Sequence, residues 1–477
     1  MNYTTKFSVR VYYWAGILLA VIFFASCNHK QPPGGIFIVT RVPEGAFHPG
    51  LAVLEPALPG ASLIAIRPGK KEGENLTASF YSACSPHVSY DGKRILFAAQ
   101  KEKSDPWQIW EMNPKKKTSR QITDSKESCY TPFYLPGNKL AFTKAVPDTG
   151  FGSFLTLFTM NLDGSHLRQI TFHPARDIIT AILKDGRILT ASRRVFPDTG
   201  HIKFIALRPN GTKSELFYEG ERGTLPGTVM HETNEGYLWF TEQSKTGKWD
   251  IIRIRYNRPL HSRCNCTGTV AGDFFGAYPA GPGRMIVCLS PPGDHGTGVY
   301  LFSMKDKKTT SKLLSGKGVY FLDPVEVKPY ERPRDLPDEL MCSYPTGLLM
   351  SQNVNIVSPE RKNPTEQKAR YIEVLGMDKS LGVIPVEQDG SFYLKIPANL
   401  PFRLRTLDSS RRVMRAPSAW MWLRPFERRG CVGCHEDPEL SPENTVPMAI
   451  NSFPVVIPVD TTQPAKKAET FKVSNMK

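Results

Sequence analysis

The pattern with the most specific chemistry in this sequence lies near its carboxyl end, where residues 431–435 read Cys-Val-Gly-Cys-His. Cys431 and Cys434 are spaced so that their thiols can add to the two vinyl groups of one porphyrin, and the imidazole of His435 can then ligate the iron. A disulfide, a thioredoxin-like redox pair and half of a zinc site use similar spacings. The pattern predicts one covalently attached haem c, with Cys431, Cys434 and His435 as the cofactor-binding residues.

The amino terminus has the features of an export signal, which covalent haem attachment requires. Lys6 and Arg10 precede an apolar run over residues 11–25, which is too short to span a membrane comfortably. Small residues follow and lead directly to Cys27. This resembles a bacterial lipobox, so residues 1–27 are predicted to be a lipoprotein signal peptide with Cys27 as the lipidation site. An ordinary cleaved signal and an uncleaved anchor are the alternatives. We expect an exported bacterial protein, periplasm-facing or an outer-membrane lipoprotein, held at the membrane by its lipid anchor.

Length and charge limit the remaining classes of function. A chain of 477 residues with 40% hydrophobic content can form the cores of two or three domains. The formal net charge of +16 is spread over separate clusters without a recognisable nucleic-acid-binding motif, so no nucleic-acid partner is expected. A basic surface can meet an acidic redox partner protein or anionic lipid headgroups, and solvated surface is the default interpretation. No catalytic triad, phosphate-binding loop or paired-carboxylate motif is found, so no catalytic residues are assigned.

Between the signal and the haem motif, a repeat with a period in the forties indicates the fold. Residues 91–97 and 137–142 each form a tight turn followed by alternating β-prone residues, and the Arg-Gln-Ile-Thr sequence at 120–123 recurs at 168–171. Four strands per repeat that close radially give a β-propeller, for which we count six or seven blades. The predicted propeller covers residues 33–322, and its repeated sequences resemble those of TolB-type propellers.

A proline-rich segment and a second β-rich unit follow the propeller. Four prolines within residues 323–340 predict a stiff, extended linker. Alternating runs within residues 370–396 predict strands of a small domain at 341–458, which contains the haem motif. The tail at 459–477 is rich in Thr, Lys and Pro and is predicted to be disordered. The predicted fold class is therefore all-β, with an amino-terminal six- or seven-bladed propeller followed by a small β-rich c-type haem domain.

Aromatic and basic side chains stand directly before the motif. Trp420 and Trp422 could line a porphyrin, or could face a protein core as alternating strand residues do. Arg424, Arg428 and Arg429 could neutralise haem propionates through paired hydrogen bonds, or could solvate a loop.

Three stretches resemble the middle domain of the hydrazine synthase alpha subunit, namely residues 382–396, 422–429 and 431–437. That family also begins with a propeller, and the similarity extends over residues 33–455. The resemblance implies a haem at the motif and, if the protein is an enzyme, a haem oxidoreductase related to hydrazine synthase. In that family the motif histidine faces zinc and a tyrosine four residues later ligates iron. The matching position here is Glu439, and we expect His435 to bind the iron in the usual way.

Met448 follows the motif and is the candidate for the second axial ligand of the iron. A methionine ligand would give a high-potential electron carrier, whereas an open position would permit substrate binding. We therefore expect electron transfer. The alternatives are a haem-dependent oxidoreductase acting on a small nitrogen or oxygen compound, and a propeller-based binding or redox/gas-sensing module.

The remaining cysteines predict no second cofactor with comparable specificity. Cys84 and Cys129 each stand thirteen residues before a phenylalanine in equivalent repeats, so both are expected near the propeller axis together with His87. A zinc or other metal site, a contact with the haem, a disulfide and plain structural thiols are the alternatives for this group. Cys264 and Cys266 are one residue apart in a loop, and the sequence does not determine their partners.

Overall fold

The computed structural model describes residues 35–47, 55–67, 69–70, 72–148, 152–197, 199–221, 223–227, 229–316, 318–356, 367–433, 439 and 445–459. Within these residues the protein is almost entirely β-structure, and no helix there has the length and hydropathy needed to cross a membrane. The predicted signal peptide with Cys27, the haem-motif residues Cys434 and His435, and residues 460–477 lie outside the described residues.

Six blades of antiparallel strands form the amino-terminal domain, which confirms the predicted all-β propeller and gives its blade number as six. The first three blades contain β1 (Ile36–Pro43), β2 (Ser62–Ile66) and β3 (Glu74–Asn75), then β4 (Ser82–Val88), β5 (Ile95–Gln100), β6 (Gln108–Asn113) and β7 (Thr118–Gln121), then β8 (Cys129–Leu135), β9 (Lys139–Asp148), β10 (Gly152–Asn161) and β11 (Arg168–Gln169). The next three contain β12 (Ala175–Ile182), β13 (Ile188–Arg194), β14 (Ile202–Leu207) and β15 (Glu215–Tyr218), then β16 (Leu225–Pro226), β17 (His231–Glu232), β18 (Tyr237–Gln243), β19 (Trp249–Arg255) and β20 (Cys264–Asn265), then β21 (Asp273–Pro279), β22 (Arg284–Ser290), β23 (Gly298–Ser303) and β24 (Lys308–Leu314).

The ring is closed by the last strand of the domain. Strand β25 (Val319–Val327) pairs antiparallel with β1, with Ile36 opposite Val327, and so supplies the inner strand of the first blade. Closure leaves no blade without neighbours on both sides, which protects the inner strands from pairing with other chains. Pro324, which the sequence pattern assigned to the linker, lies within β25.

The repeated sequences have structural causes. At the turn between β4 and β5, Gly92 has a φ of 68°, and a Cβ there would lie 2.6 Å from the carbonyl carbon of Lys328, so glycine is required. The threonine that ends each Arg-Gln-Ile-Thr sequence accepts a backbone N–H from the third strand of its own blade, from Ile109 to Thr123 and from Leu157 to Thr171. The repeat thus fixes the register of the outermost strand.

A β-sandwich forms the second domain. Its strands are β26 (Thr346–Ser351), β27 (Tyr371–Leu375), β28 (Ser380–Pro385), β29 (Phe392–Pro397), β30 (Arg403–Leu407), β31 (Val413–Arg415), β32 (Arg428–Cys431) and β33 (Val455–Val456). One sheet has the order β32-β26-β29-β33 and the other β28-β27-β30-β31. Alternating residues of both sheets, including Leu349, Ile372 and Leu394, share one buried core.

The connection between the domains is bound along the propeller. The Tyr330 hydroxyl donates to the Val88 carbonyl at 2.8 Å and its backbone N–H donates to the Tyr90 carbonyl at 3.1 Å. Further along, the Arg334 N–H donates to the Lys184 carbonyl at 3.0 Å. The extended linker therefore crosses the blade turns at fixed points.

Trp422 docks the sandwich against the propeller. Its ring is 1% exposed and belongs to a core cluster formed otherwise by residues of the third and fourth blades. The indole N–H donates to the Gly211 carbonyl at 3.0 Å, and the ring meets His173 edge-on at 4.8 Å between centroids. Trp420 makes a similar bond, 2.7 Å from its indole nitrogen to the Phe196 carbonyl. Both tryptophans are thus interface residues.

Replacing Trp422 tests this docking. We expect Trp422→Ala to lower the free energy of unfolding by about 3–5 kcal/mol, because a large buried ring is lost, with increased protease cleavage between the domains. The matched variant Trp422→Phe keeps an aromatic ring but loses the hydrogen bond to Gly211, and a smaller cost of about 1–2 kcal/mol is expected. Denaturant titration with limited proteolysis measures both, and equal stability of Trp422→Ala and wild type would contradict the assignment.

Candidate functional site

The haem motif begins at the edge of the sandwich. Strand β32 is an edge strand that runs parallel to β26, with Cys431 opposite Ser351. Beyond the strand, the Gln352 N–H donates to the Cys431 carbonyl at 2.8 Å, and the Asn353 N–H donates to the Val432 carbonyl at 2.9 Å. Cys431 is half-buried against the sandwich core. The sheet therefore fixes the described first half of the motif, Cys431 to Gly433.

Gly433, the third residue of the motif, lies directly against another segment of backbone. A Cβ at this position would lie 2.3 Å from the Ile356 carbonyl oxygen, whereas a Cβ at Gly430 would have no heavy atom within 4 Å. Any side chain at position 433 would therefore displace the loop that leads to Cys434 and His435.

Glu439 is the first residue described after the motif, and its carboxylate is held by the propeller. Oε1 accepts the backbone N–H of Leu260 at 2.5 Å, and Oε2 lies 3.7 Å from the Arg258 guanidinium, in the loop between β19 and β20. The side chain is 10% exposed. This is the position at which the family resemblance implies a tyrosine iron ligand, and here the side chain binds the fifth blade instead.

Two of the three arginines before the motif are committed to internal contacts. Arg424 is buried, donates to the Asn210 carbonyl at 3.0 Å and to the Asn399 side chain at 2.6 Å, and burial lowers its pKa to about 10. Arg429 donates to the buried Glu427 carboxylate at 2.8 Å. Arg428 is exposed, so it is the one of the three whose position suits a contact with a propionate.

An exposed apolar segment, residues 446–456, starts near the motif and ends at the opposite edge of the same sheet. The Gln352 side chain, whose backbone binds the Cys431 carbonyl, also bonds the Thr445 hydroxyl at the start of this segment. Its large exposed side chains are Val446, Met448, Ile450, Phe453, Val455 and Val456. Exposed apolar side chains grouped in one short segment can be covered by a ligand or partner. Two thiols, an imidazole and an adjacent apolar surface are the set that a covalent porphyrin needs, so the residues present fit haem c.

Met448 lies two strands away from the first cysteine of the motif. The described 3-10 turn Met448–Asn451 is bound to the turn before β29, where the Met448 N–H donates to the Asp389 carboxylate at 2.7 Å. This turn is two strand spacings from Cys431, roughly 10 Å. The side chain is 42% exposed. The Met448 side chain is therefore not part of the sandwich core, and its role as an axial ligand stays a prediction.

A cavity of about 600 Å³ lies on the propeller axis and is bordered at one end by the linker. His87 and His231 line it, and burial lowers the pKa of His87 to about 3 and that of His231 to about 4, so both imidazoles are neutral at neutral pH. The His87 Nδ1 accepts the Tyr134 backbone N–H at 3.1 Å. None of the residues lining this cavity belongs to the sandwich.

Cys84 and Cys129 do not line this cavity. Their side chains are buried in one core cluster between blades and form no disulfide. The Cys84 thiol lies 3.6 Å from the Pro56 carbonyl, and a bulge between Cys84 and His87 directs these side chains to different surroundings. Within the described ranges, no three His, Cys, Asp or Glu side chains are grouped to hold a metal ion. The structure thus brings His87 to the axis without the two thiols.

Comparisons with known proteins agree with this architecture. Residues 352–436 match the family model of the hydrazine synthase alpha subunit middle domain. Hydrazine synthase subunit alpha of Kuenenia stuttgartiensis is 20% identical over 513 aligned positions, which cover 79% of this chain and 62% of the relative. The solved hydrazine synthase of Kuenenia stuttgartiensis has a TM-score of 0.75 at 18% identity, covering 89% of this chain and 72% of that one. TolB from Acinetobacter baumannii has a TM-score of 0.44 at 13% identity, covering 66% of this chain and 72% of that one.

The close contact at Gly433 generates a matched pair of glycine variants. We expect Gly433→Ala to reduce the fraction of protein that carries covalent haem several-fold and to destabilise the fold by about 1–3 kcal/mol, because the added methyl group collides with backbone at residue 356. Gly430→Ala, one strand residue before Cys431, should leave both quantities unchanged. Intact-protein mass spectrometry and thermal unfolding measure the two effects, and equal behaviour of the two variants would refute the expected difference.

Proposed function

Taking the chain as a hydrazine synthase alpha-like protein, we propose that it is an exported, lipid-anchored c-type cytochrome with one haem, acting in electron transfer. The observation that supports this most directly is the position of the Cys-Val-Gly-Cys-His motif, which starts on an edge strand beside an exposed apolar segment. The chain spans 62% of the length of its curated relative, and that relative's activity is not carried over with the fold.

In this proposal Cys431 and Cys434 form thioether bonds to the porphyrin, and His435 ligates the iron. The bound haem supplies a one-electron iron couple. The sheet holds Cys431 through the pairing with β26, and Glu439, four residues after His435, is bound to the propeller at Leu260. The protein's own contribution is thus to fix the cofactor at the junction of the two domains.

Electron transfer is favoured over catalysis by where this site lies. A cofactor attached at an edge strand would lie near the protein surface, where an electron can pass to a partner without a substrate entering the fold. The axial cavity, by contrast, is lined by propeller and linker residues and by none of the described motif residues, 431–433.

A haem-dependent oxidoreductase acting on a small nitrogen or oxygen compound is the second candidate. It is supported by the relationship to hydrazine synthase subunit alpha. The two functions differ in the sixth iron position, which is filled by a protein ligand in an electron carrier and open to substrate in an enzyme.

An acidic redox protein is the partner that this proposal implies. The formal charge of +16 favours association with a negatively charged surface, and the attraction should weaken as salt screens it. The lipid anchor at Cys27 would keep the protein and its partner at the same membrane surface.

Haem content and ligand binding test the proposal. Protein matured in a host with cytochrome c assembly should carry the mass of one haem, and Cys431→Ser together with Cys434→Ser should lose it. The optical spectrum should be that of six-coordinate low-spin iron that does not bind carbon monoxide. Absence of haem mass would overturn the proposal. High-spin iron that binds carbon monoxide would contradict electron transfer and support the haem-dependent oxidoreductase instead.

Met448 provides a separate test of the ligand set. We expect Met448→Leu to lower the reduction potential on the order of 0.1 V, because a methionine axial ligand raises the potential. Met341→Leu is the control, since Met341 is similarly exposed, at 47% against 42%, but lies before β26 at the start of the second domain. Potentiometric titration of both variants decides the matter, and an unchanged potential in Met448→Leu would exclude Met448 as the ligand.

A further inference from the structure

Two thiols lie together on the outer edge of the fifth blade. Strand β20 begins at Cys264, which is exposed, and Cys266 follows at the next position on the same face, half-buried. Their sulfur atoms are 3.9 Å apart. Neither is joined in a disulfide.

The backbone holds this pair in place from both sides. Cys264 is paired with Arg253 of β19, and the Cys266 N–H donates to the Ile251 carbonyl at 2.9 Å. Between the two cysteines, the Asn265 amide donates to the Asp250 carboxylate at 3.0 Å. The backbone positions of the two cysteines are therefore set by pairing with β19 and by the hydrogen bond between Asn265 and Asp250.

Two cationic side chains lie near the pair. Burial, and after it the neighbouring Cys264, raise the pKa of Cys266 to about 12, and the cations Arg253 and Lys307 act in the opposite direction. A negatively charged complex formed at this site would be stabilised by the same two cations.

We propose that Cys264 and Cys266 form a binding site for a soft monovalent metal ion, Cu(I). Binding replaces two protons, so that one Cu⁺ and two thiols give a bis-thiolate complex of charge −1 and two H⁺, with no change in oxidation state. Soft thiolates select Cu(I) and zinc among biological metals. A structural zinc ion needs four ligands, and within the described residues no third His, Cys, Asp or Glu completes a group here.

The sulfur spacing suits this ion. With metal–sulfur bonds of about 2.3 Å, the observed 3.9 Å separation corresponds to an angle of about 115° at the metal. That angle leaves room for one ligand from solvent, and rotation of the exposed Cys264 side chain opens the angle further. Cu(I) is stable with two or three ligands, so the pair is sufficient by itself.

A competition titration tests the site. The chain is prepared with Cys431 and Cys434 changed to serine, which removes the motif thiols and makes the result independent of haem. Under anaerobic, reducing conditions, Cu(I) is titrated against a chromophoric Cu(I) chelator. We expect one equivalent to bind, with the affinity falling at least 100-fold in Cys264→Ser and in Cys266→Ser.

Cys342→Ser is the matched control, because Cys342 is an exposed cysteine outside the pair, and it should leave the titration unchanged. Circular dichroism confirms that each variant is folded. The proposal is overturned if both serine variants of the pair bind Cu(I) like their parent. It is equally overturned if thiol counting shows that the pair remains a disulfide under the reducing conditions used.

Discussion

The docking of Trp422 between the third and fourth blades is the contact on which the rest of the arrangement depends. The ring is enclosed by propeller core residues and bonded to the Gly211 carbonyl. Strand β32 starts only six residues later and ends at Cys431. Because this stretch is continuous and paired to β26, the position of the first motif cysteine is set by two domains at once. A small sandwich of this size gains from the propeller a rigid surface that its own core could not supply.

Buried charges specify how the two domains meet. Arg424 reaches the Asn210 carbonyl across the interface, and the Glu427 carboxylate accepts the backbone N–H of Lys213 from the same propeller loop as well as the Arg429 guanidinium. Burying such groups brings little net stability, because desolvation offsets the attraction. Their geometry is demanding, however, and a shifted docking would leave a charge without a partner. We interpret the network as selecting one orientation over its neighbours.

The sequence predicts the propeller well because its signals are local. Turns such as the one at Gly92, and the threonines that bind the third strand, recur with the blade period. The blade number depends on the pairing of β25 with β1, a contact between the two ends of the domain that no local pattern contains. The alternation of residues around Trp422 likewise indicates that its side chain is buried. It does not indicate whether the ring joins the sandwich core or the propeller core. The bond between Glu439 and Leu260 joins two loops whose sequences have no periodicity at all.

The pairing of Ile36 with Val327 has a mechanical consequence. The chain enters the propeller and leaves it at the same end of this ladder. Tension applied between these two points would therefore separate β25 from β1 one hydrogen bond at a time. A β-ladder has its lowest mechanical resistance in this geometry. The bonds from Tyr330 to Val88 and Tyr90 lie just outside that seam. A force applied through the second domain would break these bonds before it reached the pairing of β25 with β1, so they protect the closure of the ring.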